Sequence, residues 1–326
     1  MPSSYSVRPN KHVDRELFTE LVGCILAGRP VDRCAYISMG GPQMVDHISM
    51  YKRNGISKLY SFDAEESVVL RQAFNSPTST TKCEQMLASE LAGKLGDIQE
   101  NLDVDSLVVW LDYTGNTKRG EQISEFQTLL ENLNAGDVAR ISLDASMPPV
   151  RRKASLPKHI RDNHMLAMTE LLKQEIGELH PEDINLESEN DIPRYFSVCL
   201  SRACDRALTS RPANPIRFIP VLQTSYFDSC PMYTCTILAQ DEDGSPSAPA
   251  GFHFLGAGWE NIEALEVPEL TAREKSYLDR LLDKAEAEFN GLLGYNIARD
   301  AQSLRQWASF KKFHRYLPQF YHVDIK

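Results

Sequence analysis

The sequence predicts an α/β protein with a doubly wound, mostly parallel sheet, a C-terminal antiparallel hairpin, a helical insertion and a helical C-terminal segment. Short apolar runs alternate with amphipathic stretches between residues 34 and 143, which is the pattern of repeated βα units. These runs are almost continuously apolar, as expected of strands buried on both faces. A proline-containing helical stretch follows, and then two β-rich runs flank a short turn, as in a hairpin.

The chain is predicted to begin with a helical segment, residues 1–30. Residues 14–28 place Leu17, Leu21 and Ile25 at helical spacing, and Gly28 ends the helix. The segment therefore presents one apolar face to the rest of the protein.

The next segment, residues 31–145, is the predicted binding core. Its apolar runs predict strands at residues 34–39, 58–62, 82–86, 106–111 and 137–143. Amphipathic spacing predicts helices at residues 43–54, 66–75, after residue 86 as far as Lys94, and 121–133. The spacing in the first and last of these helices predicts the buried positions Met44, Ile48 and Tyr51, and Ile123, Phe126, Leu130 and Leu133.

Three segments are predicted after the core. Residues 146–212 form the helical insertion, residues 213–240 the hairpin that completes the sheet, and residues 241–326 the C-terminal helical segment. Within them we predict helices at 159–179, 193–209 and 271–293, and strands at 217–222 and 232–238. Thr271 and Glu274 form a capping box that opens the last helix.

Composition excludes several classes of function. The net charge is −10, which makes direct nucleic-acid binding unexpected because phosphate contacts need clustered Lys and Arg. The basic triplet of residues 151–153 is therefore interpreted as a solvated loop. No apolar stretch is long enough to span a bilayer, and the first residues lack the apolar region of a secretory signal. Seven cysteines without a CxxC spacing indicate reduced thiols and no metal site. We therefore expect a cytoplasmic protein.

A glycine pair follows the first predicted strand. Gly40 and Gly41 lack a Cβ, so a ligand can approach the backbone at this turn. Asp63 ends the second strand about twenty residues later, where a carboxylate can accept hydrogen bonds from an adenosine ribose. The alternative is that Asp63 only caps the helix that follows it.

These features resemble the Rossmann-like methyltransferases that use S-adenosylmethionine. The residues Tyr36-Ile37-Ser38-Met39-Gly40-Gly41 stand where the glycine-rich first motif of that family lies, and Asp63 stands where its ribose-binding acid lies. The run from Val108 to Tyr113 is similar to the fourth strand of the family, and the hairpin is similar to its sixth and seventh strands. The resemblance implies S-adenosylmethionine as the cofactor.

The chain departs from the family pattern at three places. Ser38 stands where the family usually has an acidic residue that supports the methionine end of the cofactor. Pro42 interrupts the usual glycine spacing and removes a backbone donor. Asp112-Tyr113-Thr114 only loosely matches the fourth-strand motif of amino-methylating members.

The predicted site lies at the carboxyl ends of the parallel strands, where ligands of open α/β sheets bind. The predicted cofactor-binding residues are Ser38, Gly40, Gly41, Asp63 and Glu84. Asp112 is the predicted acceptor-binding residue or general base, and Tyr113 is predicted to stack on cofactor or acceptor. The alternatives are a loop-bracing carboxylate for Asp112 and plain packing for Tyr113.

Three functions remain open at this point. The first is an S-adenosylmethionine-dependent methyltransferase with a small-molecule or protein acceptor. The second is a catalytically degenerate protein of the same fold that acts as a binding or assembly subunit of a larger complex. The third is a nicotinamide-dependent oxidoreductase, against which the hairpin and the lack of a G-x-G-x-x-G motif both argue.

Overall fold

The computed structural model describes residues 8–182, 184, 186–211, 216–242, 249–254, 258–284, 289–297 and 300–317. The chain divides into two compact units. The larger comprises Thr19–Ser225 and Cys230–Glu263, and the smaller comprises Met1–Phe18, Tyr226–Ser229 and Ala264–Lys326.

The described strands form one eight-stranded sheet in the order β3-β2-β1-β4-β5-β7-β6-β8. β1 to β5 pair in parallel, and β7 joins β5 in antiparallel orientation. The strands are β1 (Cys34–Ser38), β2 (Lys58–Asp63), β3 (Lys82–Gln85), β4 (Ser106–Asp112), β5 (Val138–Asp144), β6 (Ile216–Phe227), β7 (Pro231–Asp241) and β8 (Glu263–Leu265). The predicted fold class is thus confirmed.

The described α-helices alternate with the parallel strands and then fill the insertion and the C-terminal segment. They are α1 (Pro9–Ile25), α2 (Val45–Asn54), α3 (Glu66–Asn75), α4 (Ala88–Leu102), α5 (Arg119–Glu131), α6 (Lys158–Arg161), α7 (His164–Ile176), α8 (Ile192–Thr209), α9 (Ala272–Leu278), α10 (Phe289–Leu293) and α11 (Asp300–Phe313).

One face of the sheet carries the main apolar core. Alternate residues of the central strands, such as Ile37, Val109 and Ile141, lie in one cluster with apolar side chains of α4, α5 and α8. The predicted inward residues of α5 belong to this cluster. α4 and α5 each form the crossover connection between two parallel strands, β3 to β4 and β4 to β5.

The opposite face of the central strands is unusually polar for a buried surface. Arg140 of β5 is fully buried, donates to the hydroxyls of Thr236 and Thr234 on β7, and lies 4.9 Å from the ring centroid of Trp110 on β4. The indole N–H of Trp110 donates to Ser142. A buried cation on this face therefore links the parallel strands to the antiparallel strand.

Several predicted helices differ from the observed ones. α1 covers Pro9–Ile25 where residues 14–28 were predicted, and α4, predicted to end at Lys94, continues to Leu102. In α2 the buried residues are Asp46, His47 and Met50, whereas the predicted Tyr51 is 39% exposed. The helix predicted for residues 159–179 is broken between α6 and α7, because Asn163 caps the start of α7 through its side chain. The helix predicted for residues 271–293 ends as an α-helix at Leu278, and its residues 285–288 lie outside the described part of the chain.

A buried ion pair attaches the helical insertion to the core. Arg119 of α5 is fully buried, and its Nε and Nη2 donate to the two carboxylate oxygens of Glu175 on α7 at 2.9 and 3.0 Å. Its Nη1 also donates to the carbonyl of Asp144, the last residue of β5, and to that of Ser146 just after the strand. The insertion is therefore joined to the carboxyl end of the sheet.

The smaller unit has polar contacts and an aromatic core of its own. Asn10 accepts a hydrogen bond from the backbone N–H of Val267 and donates to the carbonyl of Phe227. Trp307 and Phe310 of α11 stack with ring centroids 5.6 Å apart. These contacts join segments that are distant in sequence.

Candidate functional site

The register of three adjacent strands brings the predicted site residues to one edge of the sheet. Ser38 of β1 is paired with Ser61 of β2 on one side and with Trp110 of β4 on the other. Asp63 and Asp112 each lie two residues further along, so their side chains point to the same face of the sheet as Ser38. The two carboxylates flank the end of β1, about two strand spacings or roughly 10 Å apart.

The turn after β1 has the strained backbone that glycine permits. Gly40 and Gly41 have φ angles of +49° and +53°, a region that disfavours residues with a Cβ. Ser38 Oγ accepts a hydrogen bond from the Gly40 N–H at 3.0 Å. From α3, Gln72 donates to the carbonyl of Met39 and Asn75 to that of Pro42. Side-chain contacts thus hold the turn in one conformation.

One side of Gly40 is closed by packing. A Cβ at this position would overlap Ser61 Oγ and would lie 2.8 Å from His47 Cε1 and 3.0 Å from Met44 Sδ. Close packing therefore explains the glycine on this side, and a ligand can approach the turn only from the other side. Gly40 and Gly41 are half-buried.

Asp46 supplies a carboxylate at the place where the sequence shows only Ser38. Its Oδ2 accepts hydrogen bonds from Ser38 Oγ at 2.5 Å and from the Tyr36 hydroxyl at 2.7 Å. No side chain caps the first turn of α2, in which Asp46 lies. Asp46, Ser38 and the Gly40 N–H therefore form one hydrogen-bonded chain that ends in the glycine turn.

Two buried polar atoms next to this turn, Ser61 Oγ and Gln72 Oε1, have no hydrogen-bond partner among the described residues, and both residues are fully buried. His47 is also fully buried, and its Nδ1 lies 3.5 Å from Asp46 Oδ1. The other nitrogen of His47 lies 3.0 Å from the carbonyl of Tyr60. Since unsatisfied buried polar atoms are costly, they indicate that a further polar group, from water or from a ligand, completes the site.

Asp63 has one oxygen in a local turn contact and a second oxygen that no described group contacts. Its Oδ1 accepts the backbone N–H of Glu65 at 2.9 Å. Glu65 is itself the N-cap of α3, and no side chain caps that helix, so the contact braces the turn after β2 and is not the helix cap that was the alternative. No hydrogen bond reaches Asp63 Oδ2 within the described ranges, which leaves one carboxylate oxygen for a ligand.

Glu84 is held by two side chains. Its Oε2 accepts from the Tyr60 hydroxyl and its Oε1 from the Lys94 ammonium. These two hydrogen bonds lower the pKa of Glu84, while burial and then the hydrogen bond to Glu84 raise the pKa of Tyr60. A ligand at Glu84 would have to displace one of these partners.

Asp112 and Tyr113 end β4 and point to opposite faces. Asp112 lies on the face of Ser38 and Asp63, half-buried. The Tyr113 hydroxyl donates to Glu125 Oε2 of α5 at 2.5 Å. Burial, and then this hydrogen bond, raise the pKa of Tyr113. The phenol therefore stays protonated at neutral pH and cannot act there as a base.

Sequence reasoning missed five residues around the turn: Asp46, His47, Ser61, Gln72 and Asn75. Asp46 could have been noticed as a carboxylate four residues before Met50 on one helical face. Nothing in the sequence marks Ser61, Gln72 or Asn75, because their role depends on strand register and on where α3 packs.

The structure also bears on metals and membranes. All seven cysteines are free thiols. Within the described ranges, no group of three His, Cys, Asp or Glu residues could hold a metal ion. No described helix combines the length and the apolar composition needed to cross a bilayer.

Comparison with known families gives one match over nearly the whole chain. A family model described as "Putative O-methyltransferase" matches residues 3–325. No curated protein matches the sequence.

Solved structures with a similar chain path include two methyltransferases. Human N-acetylserotonin methyltransferase in complex with SAM is 10% identical, with a TM-score of 0.32 over 71% of this chain. A variant of the 16S rRNA (adenine(1408)-N(1))-methyltransferase from Catenulisporales acidiphilia is 14% identical, with a TM-score of 0.34. That alignment covers 68% of this chain and 90% of the rRNA enzyme. The present chain spans 56% of the length of the human enzyme.

Proposed function

This chain belongs to the O-methyltransferase family whose model spans it, and from that premise we propose that it transfers a methyl group from S-adenosylmethionine to an acceptor oxygen. The observation that carries the proposal is the register of β2, β1 and β4, in which two carboxylates flank a glycine turn. S-adenosylmethionine carries a cationic sulfonium and a ribose. Carboxylates attract the sulfonium and accept hydrogen bonds from the ribose hydroxyls, so both groups can bind at this edge of the sheet.

The residues present fit the cofactor. Asp63 would accept from a ribose hydroxyl through Oδ2, which has no partner among the described residues. Gln72 adds a buried oxygen that lacks a donor, and Ser38 and Asp46 hold the turn. Glu84 is paired with Phe62, so its side chain lies on the other face of the sheet, where Tyr60 and Lys94 hold it, and we leave it out of the proposed cofactor site.

S-adenosylmethionine supplies an electrophilic methyl group when it is bound. The chain mainly needs to orient the acceptor oxygen for in-line attack. Asp112 is the proposed acceptor-binding group and general base for a hydroxyl acceptor. Tyr113 points to the other face of the sheet, where it packs in the apolar core and its hydroxyl is held by Glu125, so we assign it no part in binding the acceptor.

The location and the partners are part of the same proposal. Free thiols favour a reducing compartment such as the cytoplasm. The acceptor is a small molecule or a protein, and the acidic balance of the chain argues against nucleic acid.

Isothermal titration tests the proposal. The wild-type protein is expected to bind S-adenosylmethionine or S-adenosylhomocysteine near micromolar affinity. Asp63→Asn keeps an oxygen for the Glu65 N–H but replaces the second acceptor with a donor, so affinity should fall at least about tenfold. Asp32→Ala, at the other end of β1, is the control and should bind as the wild type does.

Either of two results would overturn the assignment. Unchanged affinity of Asp63→Asn would remove Asp63 from the site. A folded wild-type protein that binds neither compound would favour the assembly-subunit alternative.

A further inference from the structure

A strongly basic surface segment follows β5. Residues 150–164 contain five Lys or Arg and one Asp in a chain whose net charge is −10. Arg151, Lys158 and Arg161 are exposed. Within the described part of the chain, none of these three makes an ion pair or a side-chain hydrogen bond. Their charges are therefore available to a partner.

This basic segment lies beside the candidate site. β5 ends in Asp144 on the same edge of the sheet as Asp112, because β4 and β5 are parallel and paired. The side chain of Asn116, which follows β4, donates to the carbonyl of Met147, and Arg119 donates to that of Ser146. The segment thus continues directly from the loops at the mouth of the site.

The basic segment is held in a defined conformation. Leu156 is buried in a small apolar cluster with Ala167, Met168 and Leu171. Arg152 donates to Glu175 at 3.1 Å, and the Lys153 ammonium donates to Nδ1 of His164. Charges held in place lose less entropy on binding than charges on a mobile loop, so this segment is better suited to recognition than an ordinary solvated loop.

We propose that the basic segment docks an acidic segment of a partner protein and presents it to the site as the methyl acceptor. The inference rests on the proposed function and narrows its acceptor to a protein rich in Asp and Glu. Arginine pairs with carboxylates in a bidentate geometry. The edge of the sheet at the carboxyl ends of the strands then has two parts of opposite charge. The carboxylates around the glycine turn would face the cationic cofactor, and the basic side chains beyond β5 would face the anionic acceptor.

The composition of the segment favours a peptide over a nucleic acid. Residues 146–164 contain no Phe, Tyr or Trp, whereas single-stranded nucleic acid is held largely by aromatic stacking. The nearby side chains of Val150 and Leu166 are 66% and 47% exposed and can contact apolar residues of a peptide.

Fluorescence anisotropy with a short labelled peptide rich in Glu and Asp tests the docking. We expect binding that weakens as salt is raised, because exposed charges are screened. The double variant Arg151→Glu/Lys158→Glu should bind at least about tenfold more weakly. The matched control Lys52→Glu/Lys82→Glu makes the same charge change at two exposed lysines at the other end of the strands and should bind as the wild type does.

Three results would overturn the docking. The first is that the wild type does not bind the acidic peptide. The second is that both double variants lose affinity for the peptide equally. The third is that the wild type binds a single-stranded RNA oligonucleotide more tightly than the peptide. Titration of the same proteins with S-adenosylmethionine separates this proposal from the previous one. Peptide binding without cofactor binding contradicts the proposed function alone, and cofactor binding without peptide binding contradicts the docking alone.

Discussion

At the scale of single residues, the glycine turn has a packing role beside the binding role that we propose for it. Gly40 has a positive φ, and it also lies against Ser61, His47 and Met44. The sequence suggests that glycine is present so that a ligand can approach. The structure shows a second reason: the space that a Cβ of residue 40 would occupy is filled by Ser61 of β2 and by Met44 and His47 at the start of α2.

Gly40→Ala should therefore destabilise the protein and abolish cofactor binding. The added Cβ is strained at this φ and collides with buried groups, so we expect a loss of about 1–3 kcal/mol in the free energy of unfolding. Chemical denaturation and calorimetric titration measure the two effects.

The control is Gly93→Ala in α4, where a Cβ meets nothing within 4 Å. Alanine favours helix over glycine, so this variant should be as stable as the wild type or more stable. A similar loss of unfolding free energy in Gly40→Ala and Gly93→Ala would contradict the packing explanation.

Ser38 illustrates how a departure from a motif can be compensated within the structure. The strand residue lacks a carboxylate, but Asp46, eight residues later, places one within 2.5 Å of its hydroxyl. The two residues lie on different elements, so only the packing of α2 on β1 brings them together.

At the scale of elements, helical periodicity predicted apolar faces well and polar buried faces poorly. The inward residues of α5 were predicted correctly because that helix covers the apolar core. In α2 the buried face includes Asp46 and His47, because the sheet surface beneath it carries hydroxyl groups. Apolar spacing cannot identify a helix face that packs on polar residues.

Glu175 is the residue on which attachment of the insertion is predicted to depend. Glu175→Gln removes the charge that pairs with Arg119, so the free energy of unfolding should fall by about 3 kcal/mol. Glu178→Gln is the control, since the side chain of Glu178 is 86% exposed in its pair with Arg206, and it should have little effect. Denaturation curves of the two variants should differ clearly.

The same pair predicts a dependence on pH. Burial raises the pKa of Glu175, but hydrogen bonding and the charge of Arg119 outweigh it, so that the pKa lies below its usual value. A lowered pKa in the folded state stabilises the protein above the pKa of the unfolded chain, and this contribution is lost as pH falls through the folded-state value. The difference between wild type and Glu175→Gln should therefore be largest near neutral pH and shrink below about pH 4. A difference independent of pH would contradict this account.

At the scale of the whole molecule, the two faces of the sheet are stabilised in different ways. One face buries aliphatic and aromatic side chains against α4, α5 and α8. The other places Arg140 between Trp110 and two β7 threonines. The join between the parallel and antiparallel strands therefore depends on polar contacts.

Arg140→Lys should weaken that join. A lysine cannot donate to Thr234 and Thr236 in the same planar geometry while stacking on Trp110. We expect a loss of about 2–4 kcal/mol in the free energy of unfolding, measured by urea denaturation. Arg33→Lys, whose partners Asp103 and Asp105 are exposed, is the matched control and should be nearly neutral. Equal stability of the two variants would show that Arg140 is not needed for the join.

The sequence by itself determined the order of elements from β1 to β5, the parallel core and the edge at which Ser38, Gly40, Asp63 and Asp112 meet. These features could be predicted because strand periodicity, helix periodicity and turn glycines are each visible within a few consecutive residues. Only the tertiary structure decided that Asp46 supports Ser38, that Glu84 and Tyr113 are occupied by Lys94, Tyr60 and Glu125, and that the basic residues after β5 border the site. Those relations join residues on different elements, and their distances depend on how helices pack on the sheet.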